Sequence, residues 1–344
     1  MSTRRWLGLD GLRGVAVLAV VLFHAGLAPG GFVGVDVFFV LSGFLITGLL
    51  RAEYSRTGSI RLVRFTVRRL MRLYPALLGV CLFVMAVAIA AQRAVPEVAH
   101  DVLHALTYTS NLVPMQSGLL DHTWTLSLEE QFYLMWPVLL LMAVRTSSPW
   151  AWVPAIGILA AIFSTDLLQG QTGALHTYVR AMGLPLGCAL AFAGSHVLRW
   201  LRAVAIPSAI GLLIVFFVPL PSFLTTGWPI SIGAILAVPL VATLLTIRFP
   251  PLERGPMRWL GLRSYSLYLW HLPIMALVLF HAPPEVPEWL RVVSGVGVSL
   301  MIAELSYRFV EQPVLRLRDR TRPEPGEPSP ARPPDHAEPD VTSS

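Results

Sequence analysis

The chain has 344 residues, of which 55% are hydrophobic and only 13% are charged, and its mean hydropathy is +0.64. Soluble globular chains carry about 25% charged residues, so this composition excludes an ordinary cytosolic enzyme, a disordered protein and a nucleic-acid-binding protein. A polytopic membrane protein remains, and the net charge of +6, carried by arginine with no lysine in the chain, has to be located before it is interpreted.

Ten apolar segments of the sequence are predicted to span a membrane, because most of them approach the roughly 20 residues that a bilayer core requires. The predicted fold class is therefore an all-α polytopic membrane protein with about ten transmembrane helices. The predicted segments are residues 9–28, 32–50, 75–91, 124–144, 150–168, 173–194, 203–219, 228–247, 264–282 and 290–310.

The two cysteines, Cys81 and Cys188, fall inside apolar runs. This position is typical of buried thiols, and two cysteines supply neither a disulfide framework nor a cysteine-based metal site. We therefore expect no metal centre.

Arginine is concentrated in alternate predicted loops. Loops 51–74, 195–202 and 248–263 hold seven, two and four arginines, whereas the opposite loops hold only Arg93 and Arg291. Because basic residues accumulate on the cytoplasmic side of a membrane, this alternation places the N- and C-termini in the cytoplasm. Most of the positive charge then reports membrane topology.

The C-terminal stretch differs in composition from the rest of the chain. Residues 319–344 are rich in proline and charge and show no apolar periodicity. We expect a disordered cytoplasmic tail here, following a single membrane domain over residues 1–318.

Ionisable side chains inside a membrane span are costly and mark candidate functional positions. Arg13 and His24 are eleven residues apart, which puts them on one face of the first helix at a separation of about 16 Å. Asp36 enters the second segment from the end near His24, so the two side chains could touch. A carboxylate beside an imidazole raises its basicity, as a general base requires. A structural His–Asp pair is the equally supported alternative.

The fourth segment carries polar side chains at helical spacing. Thr125, Glu129 and Tyr133 recur every four residues and share one face. Glu129 lies near the depth predicted for His24 and is suited to act as an acid, a base or a hydrogen-bond anchor. Glu130 points about 100° away, toward a neighbouring helix. A structural hydrogen bond is the alternative for either carboxylate.

The densest basic cluster is Arg68, Arg69 and Arg72 in the stretch RRLMRLYP. Arg69 and Arg72 are three residues apart and would share a helical face. Guanidinium groups match phosphate oxygens in bidentate geometry, so a phosphate clamp is one interpretation. Membrane anchoring with attraction to anionic lipid headgroups is the other, and composition alone favours it.

Two further features are less specific. The glycine-rich stretch 30–48 around Ser42 is typical of close helix contact, with passage of a long thin ligand as an alternative. In the ninth segment, His271 lies near Tyr265 and Tyr268 and is either a polar pore residue or a helix–helix hydrogen-bonding group.

Together these residues resemble the integral-membrane acyltransferase family of the acyltransferase-3 type, whose members O-acetylate bacterial surface sugars and some antibiotics. The similarity runs in order from residue 7 to about 318. It rests on LDGLRG at 9–14 followed by His24, GVDVFFVLSGFLIT at 34–47, RRLMRLYP at 68–75, WTLSLEEQFYLMWP at 124–137, SYSLYLWHLP at 264–273 and ELSYRFVEQP at 304–313.

The resemblance implies transfer of an acyl group, acetyl being the family's commonest, from cytoplasmic acyl-CoA to a hydroxyl of an extracytoplasmic carbohydrate or glycan precursor. A small secreted product such as a macrolide is the alternative acceptor. The implied location is the cell membrane, as a multi-pass protein with no nucleic-acid partner. Direct attack on the thioester and an acyl-histidine intermediate are both compatible with the sequence.

We predict three sets of site residues from the pattern and the resemblance. The catalytic set is His24, Glu129 and Asp36. The set that binds the acetyl-CoA donor is Arg13, Arg68, Arg69, Arg72 and Ser42. The set that binds the acceptor is Tyr133, Glu130, Arg180 and His271. For Arg180, relatives often carry a glutamate at the position of Leu184, so its polar partner is in doubt.

Relatives often carry a fused extracytoplasmic hydrolase-like domain, and this sequence ends without one. We therefore expect the acceptor to be handled by this domain alone or with a separate extracytoplasmic partner protein. Two other classes are weighed against the enzyme. A secondary transporter would use His24, Glu129 and His271 as relay groups, but we find no inverted repeat. A non-catalytic membrane partner would feed acyl groups to another enzyme.

Overall fold

The regular elements of the chain are helical wherever the structure, a computed structural model, describes it, namely over residues 6–146, 181–219 and 231–320. This confirms the predicted all-α class. The helices are α1 Leu7–His24, α2 Gly34–Thr57, α3 Leu62–Ala91, α4 Val95–Leu106, α5 Trp124–Thr146, α6 Gly183–Ala191, α7 Ser195–Ala203, α8 Ala205–Phe217, α9 Ile232–Thr246, α10 Pro250–Glu253, α11 Gly255–Leu262, α12 Ser264–His281, α13 Glu288–Ser306 and α14 Gln312–Arg320. Short 3₁₀ turns precede α2 and α5, and a π-helical turn joins α13 to α14.

Four helical stretches are long and apolar enough to cross a membrane by length and composition. They are Leu7–His24, Gly31–Thr57, Leu62–Ala91 and Glu288–Leu317. The helix pair α7 and α8, bent by 55°, would make a fifth span if it crosses as one unit. A membrane protein is thus established, whereas the predicted ten spans and the orientation of the termini stay predictions.

In the arginine-rich part of the chain, the observed helices extend beyond the ends of the predicted membrane segments. The predicted loop 51–74 is mostly helical, because α2 continues to Thr57 and α3 begins at Leu62. The turn between them is made by Gly58, whose φ of 69° is a left-handed value that favours glycine. Hydropathy predicts where a helix leaves the apolar layer, and charged residues can extend the same helix beyond that point.

Several predictions lie outside the described residues. These are the span 150–168, the first part of the span 173–194, the side chain of Arg180 and the C-terminal residues 321–344.

The glycine-rich stretch packs one face of α2 tightly against α6. A Cβ on Gly43 would lie 2.1 Å from the carbonyl oxygen of Leu184, and one on Gly187 would lie 2.1 Å from that of Val40. The two backbones approach too closely for any larger residue, as in other small-residue helix contacts in membranes. Helix α6 thereby fixes the rotation of α2, whose opposite face carries Ser42 toward the functional site.

The segment between α3 and α5 is held together by the fully buried carboxylate of Asp101. Its oxygens accept hydrogen bonds from the backbone N–H groups of Gln116 and Ser117 at 2.8 and 2.7 Å and from the Ser117 hydroxyl at 2.6 Å. Burial by itself would raise the pKa of Asp101, but these hydrogen bonds, with one from His100, lower the pKa below its ordinary value of 3.8.

Replacing Asp101 with asparagine is expected to lower the unfolding free energy by about 1.5–3 kcal/mol, because hydrogen bonds to a charged acceptor are lost. Since the folded-state pKa is depressed, this stabilisation is present above the ordinary pKa and is lost as the pH falls through the folded value. Thermal unfolding in detergent should show a gap between the wild type and Asp101→Asn at pH 7 that narrows on acidification. A gap that is the same at every pH would contradict this account.

Candidate active site

A cavity of about 260 Å³ lies between α1, α2, α3, α5 and α12. Its wall is mostly apolar along α2 and mostly polar on the other helices. The polar lining residues are Arg13, Ser42, Arg69, Arg72, Thr125, Glu129, Tyr133, Ser264, Tyr265 and Tyr268. The apolar lining residues are Val35, Phe38, Phe39, Leu45, Ile46, Leu49, Leu73 and Leu126. Six of the predicted site residues therefore meet in one cavity, although they come from four separate helices.

One end of the cavity carries two arginines. The Arg13 Nε donates a hydrogen bond to Ser264 Oγ at 3.3 Å, and its guanidinium lies 5.9 Å from the centre of the Phe38 ring. Arg72, from α3, is exposed and lines the same cavity. Arg68, one residue before Arg69 on α3, is not among the lining residues. We refer to Arg13 and Arg72 as the arginine end.

The middle of the cavity is organised around the Arg69 guanidinium. Its Nε donates to Glu130 Oε1 at 2.9 Å, and its Nη2 lies 3.9 Å from Glu129 Oε2. The guanidinium carbon also lies 3.1 Å from the centre of the Tyr133 ring. Arg69 is therefore already engaged by two carboxylates and an aromatic face, so it ties α3 to α5.

The predicted polar face of α5 points into the cavity. Thr125, Glu129 and Tyr133 all line it, as their spacing of four residues predicts. Ser42 Oγ donates to Glu129 Oε1 at 2.7 Å, which joins α2 to this face. Glu130 is 7% exposed and turns instead toward α3, where it meets Arg69.

The other end of the cavity is closed by Tyr268. Its hydroxyl lies 2.7 Å from Thr125 Oγ1 and donates to the backbone carbonyl of His122 at 2.9 Å. Its ring lies 6.4 Å from that of Phe38 on one side and 5.6 Å from that of His271 on the other. Tyr268 thus separates the cavity from three neighbouring imidazoles. We call His24, His122 and His271 the histidine cluster.

The hydrogen bonds within the cluster assign the protons of His24 and His271. His271 is fully buried, and its Nδ1 lies 2.7 Å from the carbonyl oxygen of Tyr268, so this nitrogen carries a proton in the neutral ring. Its Nε2, 3.2 Å from His24 Nδ1, is then an acceptor. His24 Nδ1 must be the donor, also within 3.0 Å of the Val20 carbonyl, and His24 Nε2 is left with a lone pair. This is the arrangement of an oriented general base.

Asp36 occupies a different place from the one predicted beside His24. It is fully buried and accepts a hydrogen bond from Ser231 Oγ at 2.5 Å. Ser231 caps the N-terminus of α9, so this contact joins α2 to α9. The imidazole of His271 holds the orienting position next to His24 that the sequence suggested for Asp36 or Glu129.

Two buried residues near the site were missed from the sequence. His122 lies two residues before the predicted fourth span. Apart from the arginine cluster, only ionisable residues inside a predicted span were treated as candidates, so His122 was not among them. Glu311 lies in the π-helical turn Tyr307–Glu311, is 5% exposed and accepts a hydrogen bond from Ser266 Oγ. Glu311 is the acidic residue of the closing motif YRFVEQP. The sequence analysis used this motif only as part of the family resemblance and did not consider its glutamate as a site residue. Glu304, by contrast, pairs with Arg263 and Arg308.

An oriented histidine pair beside a cavity that carries arginines, inside a helical membrane protein, is an arrangement suited to acid–base chemistry in an integral-membrane enzyme. The chain belongs to the acyltransferase domain family, whose model matches residues 6–308. The family is that of an acyltransferase domain, which favours acyl transfer over the secondary transporter weighed above.

Curated relatives agree with the family. The chain is 33% identical to the peptidoglycan O-acetyltransferase OatA of Listeria monocytogenes over 349 aligned residues, covering 89% of this chain and 55% of that protein. It is 32% identical to the O-acetyltransferase OatA of Staphylococcus aureus, covering 91% of this chain and 58% of that protein. The chain therefore spans little more than half the length of these relatives. No solved structure matches it.

Proposed function

We propose that this protein transfers an acetyl group from acetyl-CoA to a hydroxyl group of an extracytoplasmic glycan of the peptidoglycan type. The observation that carries the proposal is the His24–His271 pair, which leaves His24 Nε2 free as a base near the closed end of the cavity. The family and the names of the relatives support acetyl transfer to oxygen.

The arginine end is the part of the cavity suited to the phosphates of acetyl-CoA. Arg13 and Arg72 line it, and Arg72 is exposed, so an anionic donor can reach it. Guanidinium groups bind phosphate oxygens through paired hydrogen bonds. Arg69 has a different role in this proposal, because Glu129 and Glu130 already neutralise it. It positions α5 while the acyl arm passes the apolar face of α2.

The chemical step uses His24 as the general base. The acceptor O–H bond breaks as its proton moves to His24 Nε2, and the acceptor oxygen bonds to the thioester carbonyl carbon. The carbon–sulfur bond then breaks, and the proton passes from His24 to the departing CoA sulfur. An acetyl ester and free CoA are the products.

His271 stabilises the charge that forms on His24. When His24 Nε2 takes a proton, its Nδ1–H remains directed at His271 Nε2, 3.2 Å away. The other nitrogen of His271 is held by the Tyr268 carbonyl, whose dipole favours positive charge on the pair. Main-chain oxygens thus replace the carboxylate that usually orients a catalytic histidine.

The orientation of the protein in the cell membrane follows from the charge pattern. We place both termini and the arginine end on the cytoplasmic side, because the arginine-rich segments alternate with arginine-poor ones. His24, at the other end of α1, then lies toward the outer side, where a glycan acceptor arrives. A multi-pass domain of ten spans over residues 1–318 completes this proposal.

The acceptor is a glycan and not a small secreted product in this proposal, because one of the relatives is named for peptidoglycan. A separate extracytoplasmic partner protein would assist acceptor delivery. The test is to incubate the purified protein in nanodiscs with radiolabelled acetyl-CoA and a soluble peptidoglycan fragment. Label that is bound to the glycan and released by mild base supports the proposal. Label recovered only as acetate, or transferred only to a macrolide, contradicts it.

Replacing Arg72 with alanine is expected to raise the KM for acetyl-CoA about 10- to 100-fold, because a charged hydrogen bond to phosphate is lost. The kcat should change little, since this proposal assigns Arg72 to the phosphates of the donor and not to the reacting atoms. Initial-rate kinetics at varied acetyl-CoA give both constants. Arg64→Ala, on the same helix but outside the cavity lining, is the matched control. If the KM for acetyl-CoA were equal in the two variants, Arg72 would not bind the donor, and membrane anchoring would be the better interpretation of the arginine cluster.

A further inference from the structure

His122 is the member of the histidine cluster that the proposed chemistry does not use. It lies in the 3₁₀ turn Asp121–Thr123 that leads into α5, and it is 4% exposed. Its backbone carbonyl accepts hydrogen bonds from Thr125 Oγ1 at 3.0 Å and from the Tyr268 hydroxyl. The first bond ties the turn to the start of α5 and the second holds it against α12, so the surrounding fold fixes the position of the turn.

The protonation of the His122 ring follows from its partner. Its Nε2 lies 3.1 Å from the backbone carbonyl oxygen of Leu269, which can only accept, so Nε2 carries the proton. The neutral ring then has its lone pair on Nδ1. In the part of the chain that the structure describes, no donor reaches this buried nitrogen.

A buried acceptor without a donor is uncommon in folded proteins and calls for a physical explanation. His122 lies beside the proposed catalytic pair, with ring centres 5.3 Å from those of His271 and of Tyr268. The ring of His24 follows at 4.9 Å from that of His271. The lone pair therefore belongs to a ring of the same cluster as His24, the proposed base.

We propose that His122 Nδ1 binds the acceptor by taking a hydrogen bond from a second hydroxyl group, one that neighbours the hydroxyl being acetylated. This inference rests on the proposed function and names a specificity-determining residue for it. The ligand class it selects is a polyol such as a sugar, in which several hydroxyl groups lie close together. A site whose buried polar group needs a partner discriminates against ligands that lack it.

Two substitutions separate the nitrogens of the ring. In His122→Gln the side-chain amide can still donate to the Leu269 carbonyl, but no acceptor remains at the Nδ1 position. In His122→Asn the amide oxygen replaces Nδ1 while the bond to Leu269 is lost. If acceptor binding is the role, His122→Gln should lower kcat/KM for the glycan about three- to tenfold, and His122→Asn should recover part of that loss.

The decisive experiment combines these variants with a soluble peptidoglycan disaccharide and a panel of its monodeoxy analogues, each lacking one hydroxyl. We expect that, for one analogue that keeps the reactive hydroxyl, the kcat/KM of the wild type is about three- to tenfold lower than for the intact disaccharide. With His122→Gln, the same analogue and the intact disaccharide should have equal kcat/KM values. The KM for acetyl-CoA should stay constant across the set. Such non-additivity identifies the partner hydroxyl of His122.

If removal of each hydroxyl lowered kcat/KM by the same factor in the wild type and in His122→Gln, the inference would be overturned, since His122 would then be structural. A loss in kcat shared by all acceptors would equally overturn it, by making His122 part of the acid–base chemistry. Failure of the wild type to acetylate any member of the panel would refute the proposed function itself, so the two failures are distinguishable. Thermal unfolding of each variant checks that the fold is retained.

Discussion

Replacing His24 with alanine is expected to lower acetyl transfer about 10²- to 10⁴-fold, the range that general acid–base groups contribute. The reason is the proton assignment of the cluster, which leaves His24 Nε2 as the lone pair that the acceptor hydroxyl needs. Binding of acetyl-CoA should persist, because Arg13 and Arg72 hold the donor elsewhere in the cavity. Single-turnover transfer of labelled acetyl measures the rate, and equilibrium dialysis measures binding of the donor.

The His271 variants serve as the matched control for this prediction. His271→Leu removes the acceptor of the His24 Nδ1–H and should lower kcat without changing the KM for acetyl-CoA. His271→Gln presents an amide oxygen to the same proton and should retain more activity. Transfer by His24→Ala within tenfold of the wild type would exclude His24 as the base.

Replacing Arg69 with alanine is expected to cost about 3–5 kcal/mol of unfolding free energy, which exceeds the loss from any surface charge. Glu130 is 7% exposed and its close cationic partner is Arg69, so the substitution leaves a buried carboxylate without compensation. The aromatic contact with Tyr133 is lost as well. Denaturant unfolding in mild detergent gives the free-energy difference.

The double variant Arg69→Ala/Glu130→Ala should recover much of this loss, because both members of the ion pair are then absent. Arg72→Ala, three residues along the same helix, removes an exposed guanidinium and should lower the unfolding free energy less than Arg69→Ala does. If the Arg69 and Arg72 variants instead unfold alike and both raise the KM for acetyl-CoA, the two arginines form one phosphate clamp.

Helical spacing was the most informative part of the sequence. The interval of four residues places Thr125, Glu129 and Tyr133 on one cavity-lining face of α5, because a helix fixes relations within itself. Likewise, Arg13 contacts Ser264 and His24 contacts His271, both on α12. This agrees with the prediction that Arg13 and His24 share one face of α1. These relations depend only on local geometry.

Partners on different helices could not be predicted in the same way. The sequence predicts similar depths for His24 and Asp36 and so suggests contact, but depth does not fix how each helix is rotated about its axis. The glycine contacts of α2 with α6 set that rotation, and they direct Asp36 to Ser231. The pairing of Arg69 with Glu130 likewise joins residues 61 positions apart.

Residues at the edges of regular elements were the hardest to recognise. His122 lies in a 3₁₀ turn just outside a predicted span, and Glu311 ends a π-helical turn. Both turns break the period of 3.6 residues on which pattern analysis depends, and π turns occur often at functional sites. A scan for polar residues flanking each span would have found both.

In the proposed mechanism, an acetyl group enters at the arginine end and leaves on an acceptor at the opposite side of the membrane. Proteoliposomes sorted for one orientation test it, with labelled acetyl-CoA on one face and a soluble peptidoglycan fragment on the other. The account predicts labelled glycan only when acetyl-CoA is on the face that carries Arg72, and none with His24→Ala. Equal labelling from either face, or labelling that survives the His24 substitution, would contradict it.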